Sequence, residues 1–305
     1  MPKRAPHRVS KETHLKVIVI LLLAVVLLLW LVHCAGPKSV REQRLPARSE
    51  KAAERAEMSE KADRSDRFDR QDQPNQPGHR VYGTQLELPL YTDSMFIVRH
   101  PEARYTLCYD TSYRQAAWVA YLLTRSEVGR KDAERANAFR CDPEVVRRGW
   151  PTARDRDYAR SSYDRGHLLP SADRDDTPSE NRATFYLSNV SPQCAGLNRQ
   201  TWRLLEEQVR RWAAAYDSLY VVTGPELVPG LPRIKGGVGV PRRYFKALLV
   251  WHGGRYHAIA FLIPNREWVE GGFGDYALSV NDLERQLGYD LFWRLPDSIE
   301  ERVEG

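Results

Sequence analysis

The chain has 305 residues, 42% of them hydrophobic and 28% charged, with 8 Trp, 15 Tyr and 8 Phe, which is enough material for a substantial core in one large domain or two small ones. Four cysteines in this length exclude a disulfide-dense miniature scaffold, and the lack of C-x-x-C spacing excludes a zinc ribbon or thioredoxin-like motif. The net charge of +6 is local: residues 1–16 carry +4, residues 36–80 carry +2, and residues 81–305 balance 30 basic against 30 acidic side chains, so bulk charge lends no support to nucleic-acid binding.

A basic segment, 1–16, precedes an unbroken apolar run from Val17 to Val32. Extended through Gly36 it gives 20 residues without Lys, Arg, Asp or Glu, about 30 Å as a helix and so the thickness of a bilayer core. It has no polar face, so a single transmembrane helix over 17–36 is expected. A retained signal anchor is favoured. A signal peptide cut near Ala35-Gly36 and a lipoprotein linked through Cys34 are the alternatives, the latter weakened by His33 where a small residue belongs. Either way residues 37–305 are expected outside the cytoplasm, periplasmic or extracellular. Residues 37–80 read as a charged spacer. Across 50–72 acids fall every third position, giving acid-to-base pairs Glu57–Lys61, Glu60–Arg64, Asp63–Arg67 and Asp66–Arg70. With no apolar face, this is either a semi-rigid helix or a disordered polyampholyte.

The folded domain is expected over 81–305. Strand-like runs occur at Tyr105–Asp110, Ala117–Thr124, Thr184–Val190, Leu219–Thr223, Tyr244–Trp251 and Tyr256–Ile263, the last two flanking a hairpin signal, His252-Gly253-Gly254-Arg255. Apolar residues Trp202, Leu205, Val209, Trp212 and Ala213 recur at helical spacing and predict a helix over Asn198–Tyr216. A shorter helix is predicted over Val280–Leu287, after Ser279 and before Gly288. The elements follow no βαβ rhythm, which predicts an α+β fold.

Common catalytic signatures are absent: no G-x-S-x-G, no H-E-x-x-H and no phosphate-binding G-x-x-x-x-G-K-[ST]. One segment concentrates chemistry, Asp164-Arg165-Gly166-His167, followed by Leu168-Leu169-Pro170. A second reads Ser188-Asn189-Val190-Ser191-Pro192-Gln193, then Leu197-Asn198-Arg199-Gln200-Thr201-Trp202, with Glu206 eight residues beyond Asn198. On an ideal helix that offset leaves Asn198 and Glu206 about 80° apart, able to border one cleft. Separately, Asn198 fits an N-cap, Glu206 an exposed helix charge and His167 a surface loop.

Together the two segments resemble the DNA/RNA non-specific endonuclease family, the ββα-metal nucleases that include the endonuclease G type. The likeness spans nearly all of residues 81–300. It implies a mixed or antiparallel central sheet flanked by helices and containing a ββα-metal finger. It implies Mg²⁺, with Mn²⁺ as a substitute, bound directly by Asn198 and through water by Glu206. It further implies His167 as general base, Arg165 on the phosphate, Asn189 orienting the site or a metal water, and Asp164 positioning the motif. The implied substrates are DNA and RNA, cleaved to 5′-phosphate ends. Arg114, Arg199, Arg203 and Lys246 are further candidates for phosphate contacts. Asp173, Asp175 and Asp176 read as a solvated loop rather than added metal-water ligands. Disulfides among Cys108, Cys141 and Cys194 allow three pairings, and a homodimer is left open. Two rivals remain: a silent nucleic-acid-binding module, and a phosphodiesterase for another ester near the membrane.

Overall fold

The computed structural model describes residues 85–130 and 132–304. The apolar segment 17–36 and the spacer 37–80 lie outside them. Among the described residues no helix is long and apolar enough to cross a membrane.

Side-chain alternation organises the domain. The main sheet is antiparallel throughout. Its spatial order is β1 (Ile97–His100), β2 (Tyr105–Asp110), β3 (Gln115–Thr124), β6 (Ser218–Pro225), β7 (Arg243–His252), β8 (Arg255–Pro264) and β9 (Ala277–Leu278). Separate from it, β4 (Asp164–His167) pairs antiparallel with β5 (Val190–Gln193). On β3, Val119, Tyr121 and Leu123 enter one core and Trp118 and Ala120 the other. The first core is completed by α4 (Arg203–Tyr216), whose Leu205, Val209 and Ala213 are buried. The second is closed by α5 (Val280–Leu287) with Leu291, Phe292 and Leu295. The sheet is thus covered on both faces, as the α+β expectation requires. Short helices α1 (Pro143–Arg147), α2 (Asp155–Tyr158), α3 (Pro178–Thr184) and α6 (Asp297–Val303) fill the connections.

Local chemistry sets the boundaries. Ser279 accepts from the Asp282 N–H to start α5, and Gly288, at φ 73°, ends it in the left-handed conformation. The β7–β8 turn places Gly253 and Gly254 at φ 59° and 77°, the hairpin geometry their sequence predicts.

The expected strand Thr184–Val190 is corrected. Thr177 accepts from the Glu180 N–H and Pro178 occupies the first turn, so α3 runs through Thr184. A 3₁₀ turn at Leu187–Asn189 follows, and extended chain begins only at Val190. The disulfide expectation is corrected too. Cys108, Cys141 and Cys194 are all free thiols: Cys108 sits in the second core, the Cys141 thiol faces Ala153 O at 3.4 Å, and Cys194 faces Asn265 O at 3.4 Å.

A buried ion pair ties the sheet edge to the segment before β5. His100 Nε2 lies 2.9 Å from Asp142 Oδ2, which also accepts from Ser188 Oγ, while Asp142 Oδ1 caps α1 at the Glu144 N–H. Burial opposes the charged imidazole, but Asp142 and then Glu102 hold the His100 pKa above its ordinary value. Burial likewise opposes the Asp142 carboxylate, and His100 overcomes it. Asp142→Ala is expected to cost about 3–5 kcal/mol, the usual penalty for orphaning a buried charge. A raised folded His pKa gives stability that is complete below the unfolded value of about 6.5 and fades as pH rises through the folded value. The loss read by urea unfolding is therefore expected to be larger at pH 6 than at pH 9. An equal loss at both would remove His100 from the account.

Candidate active site

β4, β5 and the helix that follows form a ββα unit. Ser191 Oγ lies 2.6 Å from Tyr244 Oη, and Tyr244 Oη donates to Pro192 O at 2.8 Å, which seats β5 on the main sheet. In β4, Asp164 lies opposite Gln193 and His167 opposite Val190. A Cβ on Gly166 would stand 2.2 Å from the Oε1 of the buried Gln193, so any larger residue there would have to displace that side chain.

Strand residues two apart share a face, so Arg165 and His167 point the same way. Both meet Phe139: the guanidinium and the imidazole each lie 5.4 Å from its ring centroid. Phe185 meets the imidazole edge-on at 4.8 Å. His167 is buried, and its Nε2 has no hydrogen-bond partner among the described residues. Burial, assisted by the charge of Arg135, pushes the imidazole down to about 3, so His167 is neutral at pH 7. Asn189 holds the chain just beyond it. Its Oδ1 accepts from Leu169 N at 2.9 Å, and its Nδ2 donates to Leu169 O at 3.0 Å and Thr184 O at 2.8 Å. That amide is committed to backbone, so Asn189 positions the strand end.

Asp164, on the other face of β4, reaches the helix. Its Oδ2 accepts from Asn198 Nδ2 at 3.0 Å, and Arg199 donates to both carboxylate oxygens at 2.8 and 2.6 Å. Arg199 first, then Asn198, holds the Asp164 carboxyl below the usual range. Asn198 is not an N-cap: it lies inside a π-helical turn, Leu197–Trp202, that leads into α4. Such turns insert a residue and recur at functional sites, so the ideal-helix angle to Glu206 does not apply. The entry to this turn is clamped. Glu267 accepts from Ala195 N and Gly196 N at 3.2 and 2.9 Å, and Asn265 Oδ1 accepts from Cys194 N at 2.7 Å. The Glu267 carbonyl comes so close to Gly196 that a Cβ would stand 1.6 Å from it.

Glu206 is half-buried rather than an exposed helix charge. Desolvation raises its carboxyl, opposed by Lys246. Desolvation lowers the Lys246 ammonium, opposed by Glu206. Lys246, a candidate phosphate contact by sequence, is fully buried. On β7 it shares a face with Tyr244 and Leu248, toward the first core, and its Nζ lies 5.0 Å over the Trp202 ring. The solvated-loop reading of Asp173 is also corrected. Asp173 is buried, accepting from Tyr121 Oη at 3.1 Å and Arg210 Nη1 at 3.0 Å. Arg210 was not singled out from the sequence, although an acid four residues before a base on one helix face, Glu206 to Arg210, is its signal.

The other predicted cations differ in availability. Arg165 is held by Asp155 at 2.6 Å. Arg199 is exposed beside Asp164, Arg203 is exposed and paired with Glu207, and the half-buried Arg114 donates to Gly236 O. Arg135, also missed by sequence, is exposed and lies 5.1 Å over Phe185.

The donors suit a hard cation. Asn198 Nδ2 is spent on Asp164, and Oδ1 has no donor partner among the described residues. Mg²⁺ is commonly held by one or two protein oxygens with water. Among the described residues no group of three or more His, Cys, Asp or Glu is arranged for a metal.

One ββα unit carries a neutral buried imidazole on one face of β4 and an amide held by a carboxylate on the other, and the class it fits is a nuclease among the hydrolases. The family model for DNA/RNA non-specific endonucleases matches residues 98–298. The chain belongs to that family. A nuclease of Nostoc sp. is 35% identical over 224 residues, covering 70% of this chain and 79% of that protein. Human mitochondrial endonuclease G is 36% identical over 198 residues, covering 60% of this chain and 66% of its own length, just under two thirds. A crystal structure of the EndoG/EndoGI complex superposes with a TM-score of 0.60 at 27% identity, over 67% of this chain and 88% of that one.

Proposed function

We propose that the chain is a Mg²⁺-dependent endonuclease that hydrolyses phosphodiester bonds of DNA and RNA without sequence preference, leaving 5′-phosphate ends. The observation that carries this reading is the unpartnered Nε2 of a neutral, buried His167. His167 takes a proton from the attacking water at that atom. Arg165, held by Asp155 on the same strand face, neutralises the phosphate. Asn198 Oδ1 and, through water, Glu206 would hold Mg²⁺, which supplies Lewis-acid stabilisation of charge on the phosphate and the leaving 3′ oxygen. Asp164 fixes the Asn198 amide by taking its Nδ2, which leaves Oδ1 for the metal. Residues 17–36 anchor the chain in a membrane, with the catalytic domain outside the cytoplasm.

The test incubates the full-length chain and His167→Ala with plasmid DNA and with single-stranded RNA, in Mg²⁺ and in EDTA. Metal-dependent loss of both substrates by the parent alone is expected. Intact nucleic acid from folded parent sinks the hydrolase reading, and retained binding would then mark a silent binding module. Protease added to spheroplasts, whose inner membrane is intact, digests the domain if it lies outside the cytoplasm.

A further inference from the structure

The aromatic side chain most exposed among the large hydrophobic residues is Trp268, 76% accessible. An indole left in water costs hydrophobic free energy, so its position matters more than its presence. Trp268 directly follows Glu267, whose carboxylate and carbonyl clamp Ala195 and Gly196, two residues before Asn198. That close approach places the Trp268 Cα within about 16 Å of the Asn198 Cα, because consecutive Cα atoms are about 3.8 Å apart. The loop is not a loose flap. Asn265 donates to Pro192 O and Pro241 O, both at 3.0 Å, so its base is fixed to β5 and to the segment before β7.

The neighbours offer a polyanion two exposed cations, Arg266 and Arg199, beside a Glu267 carboxylate that is spent on Ala195 N and Gly196 N. Arg266 is exposed and makes no ion pair among the described residues. Arg199 is exposed beside Asp164, and Tyr163, just before it, is half-buried. A cationic track with an open aromatic face is how single-stranded nucleic acid is held without reading its sequence, since every base has a π face.

We propose that Trp268 is a stacking platform for a nucleobase of the substrate, within about five nucleotides of the scissile phosphate. This rests on the nuclease reading for its substrate, but its binding arm does not need cleavage.

The test uses full-length chain and a single-stranded DNA oligonucleotide. Trp268→Ala is expected to raise KM about tenfold, in the range that loss of one base–aromatic stack produces, with kcat within twofold. Trp268→Phe keeps a ring and stays near the parent KM. On an oligonucleotide made abasic throughout, the difference between parent and W268A disappears. Binding is read separately in EDTA: the oligonucleotide quenches tryptophan fluorescence of the parent, and W268F loses most of that quench. Quenching through Trp268 without cleavage upholds the platform and sinks the hydrolase reading. Cleavage with W268A unchanged in KM, or equally impaired on the abasic strand, overturns the platform. Unchanged KM with weaker partitioning of W268A onto anionic vesicles would assign the loop to a membrane surface and overturn it too.

Discussion

His167→Asn is expected to lower kcat/KM for DNA by about 10²–10⁴-fold, the usual contribution of a positioned general base. Asparagine is preferred to alanine here because it leaves a smaller void between Phe139 and Phe185. The pH dependence separates this account from an ordinary exposed histidine. A free imidazole loses its base form below about pH 6.5. In β4, burial lowers the folded value to about 3, so cleavage from pH 8 to pH 5 is expected to show no limb from His167. The same shift acts on stability with a definite sign. Between about 3 and about 6.5 the unfolded chain binds a proton at this site and the folded chain does not. Stability therefore falls as pH falls through that window, at up to about 1.4 kcal/mol per pH unit from this one group. H167N should lack that part of the acid slope in urea titrations. An activity limb near pH 6.5 in the parent, or an identical acid slope in H167N, would overturn the buried-base account.

The sheet was legible because its strands are short aromatic and β-branched runs bounded by Gly, Pro or charge, with side chains entering a core on each face. β2 was predicted with its bounds, and β3, β6, β7 and β8 within two residues. Alternation fails where a strand is short and polar, as in β4, whose Asp-Arg-Gly-His sequence carries no apolar period and is held by pairing with β5. Thr184–Val190 shows the converse: apolar, aromatic residues mimic a strand, while Thr177 and Pro178 upstream start a helix and Asn189 closes a turn. In the site, Asp164, His167, Asn198 and Glu206 were named from their motifs, but what holds them was not. Asp155 under Arg165, from the helix before β4, and Glu267 under Gly196, 71 residues on, are tertiary contacts that periodicity does not encode. Lys246 was misplaced because its charge was weighed and its strand phase was not: two residues from Tyr244 and two from Leu248, it had to face the helix. Asp173 belongs with it, a charge kept inside by Tyr121 and Arg210 rather than by water.

Asp164→Asn is expected to weaken Mg²⁺ dependence by 10–100-fold, the typical loss when the partner orienting a metal ligand is removed. The measurement is the Mg²⁺ concentration giving half-maximal plasmid cleavage, repeated with Mn²⁺. Asp164 carries two tasks in one carboxylate. It accepts from Asn198 Nδ2, which fixes the amide and leaves Oδ1 unbonded to it, and it takes a bidentate pair from Arg199. An amide in its place has one acceptor oxygen and presents its own donors to Asn198 and Arg199, so it cannot perform both. Arg199→Ala divides the tasks, since it leaves the Asp164–Asn198 bond in place. It should shift the Mg²⁺ requirement far less, while flattening the dependence of binding on salt by about one phosphate contact. If R199A shifts the metal requirement as much as D164N does, the ion pair rather than the amide orientation is what Asp164 supplies. If D164N leaves the metal requirement unchanged, Asn198 is oriented by its π-helical turn alone, and the carboxylate serves the docking of β4 against the helix.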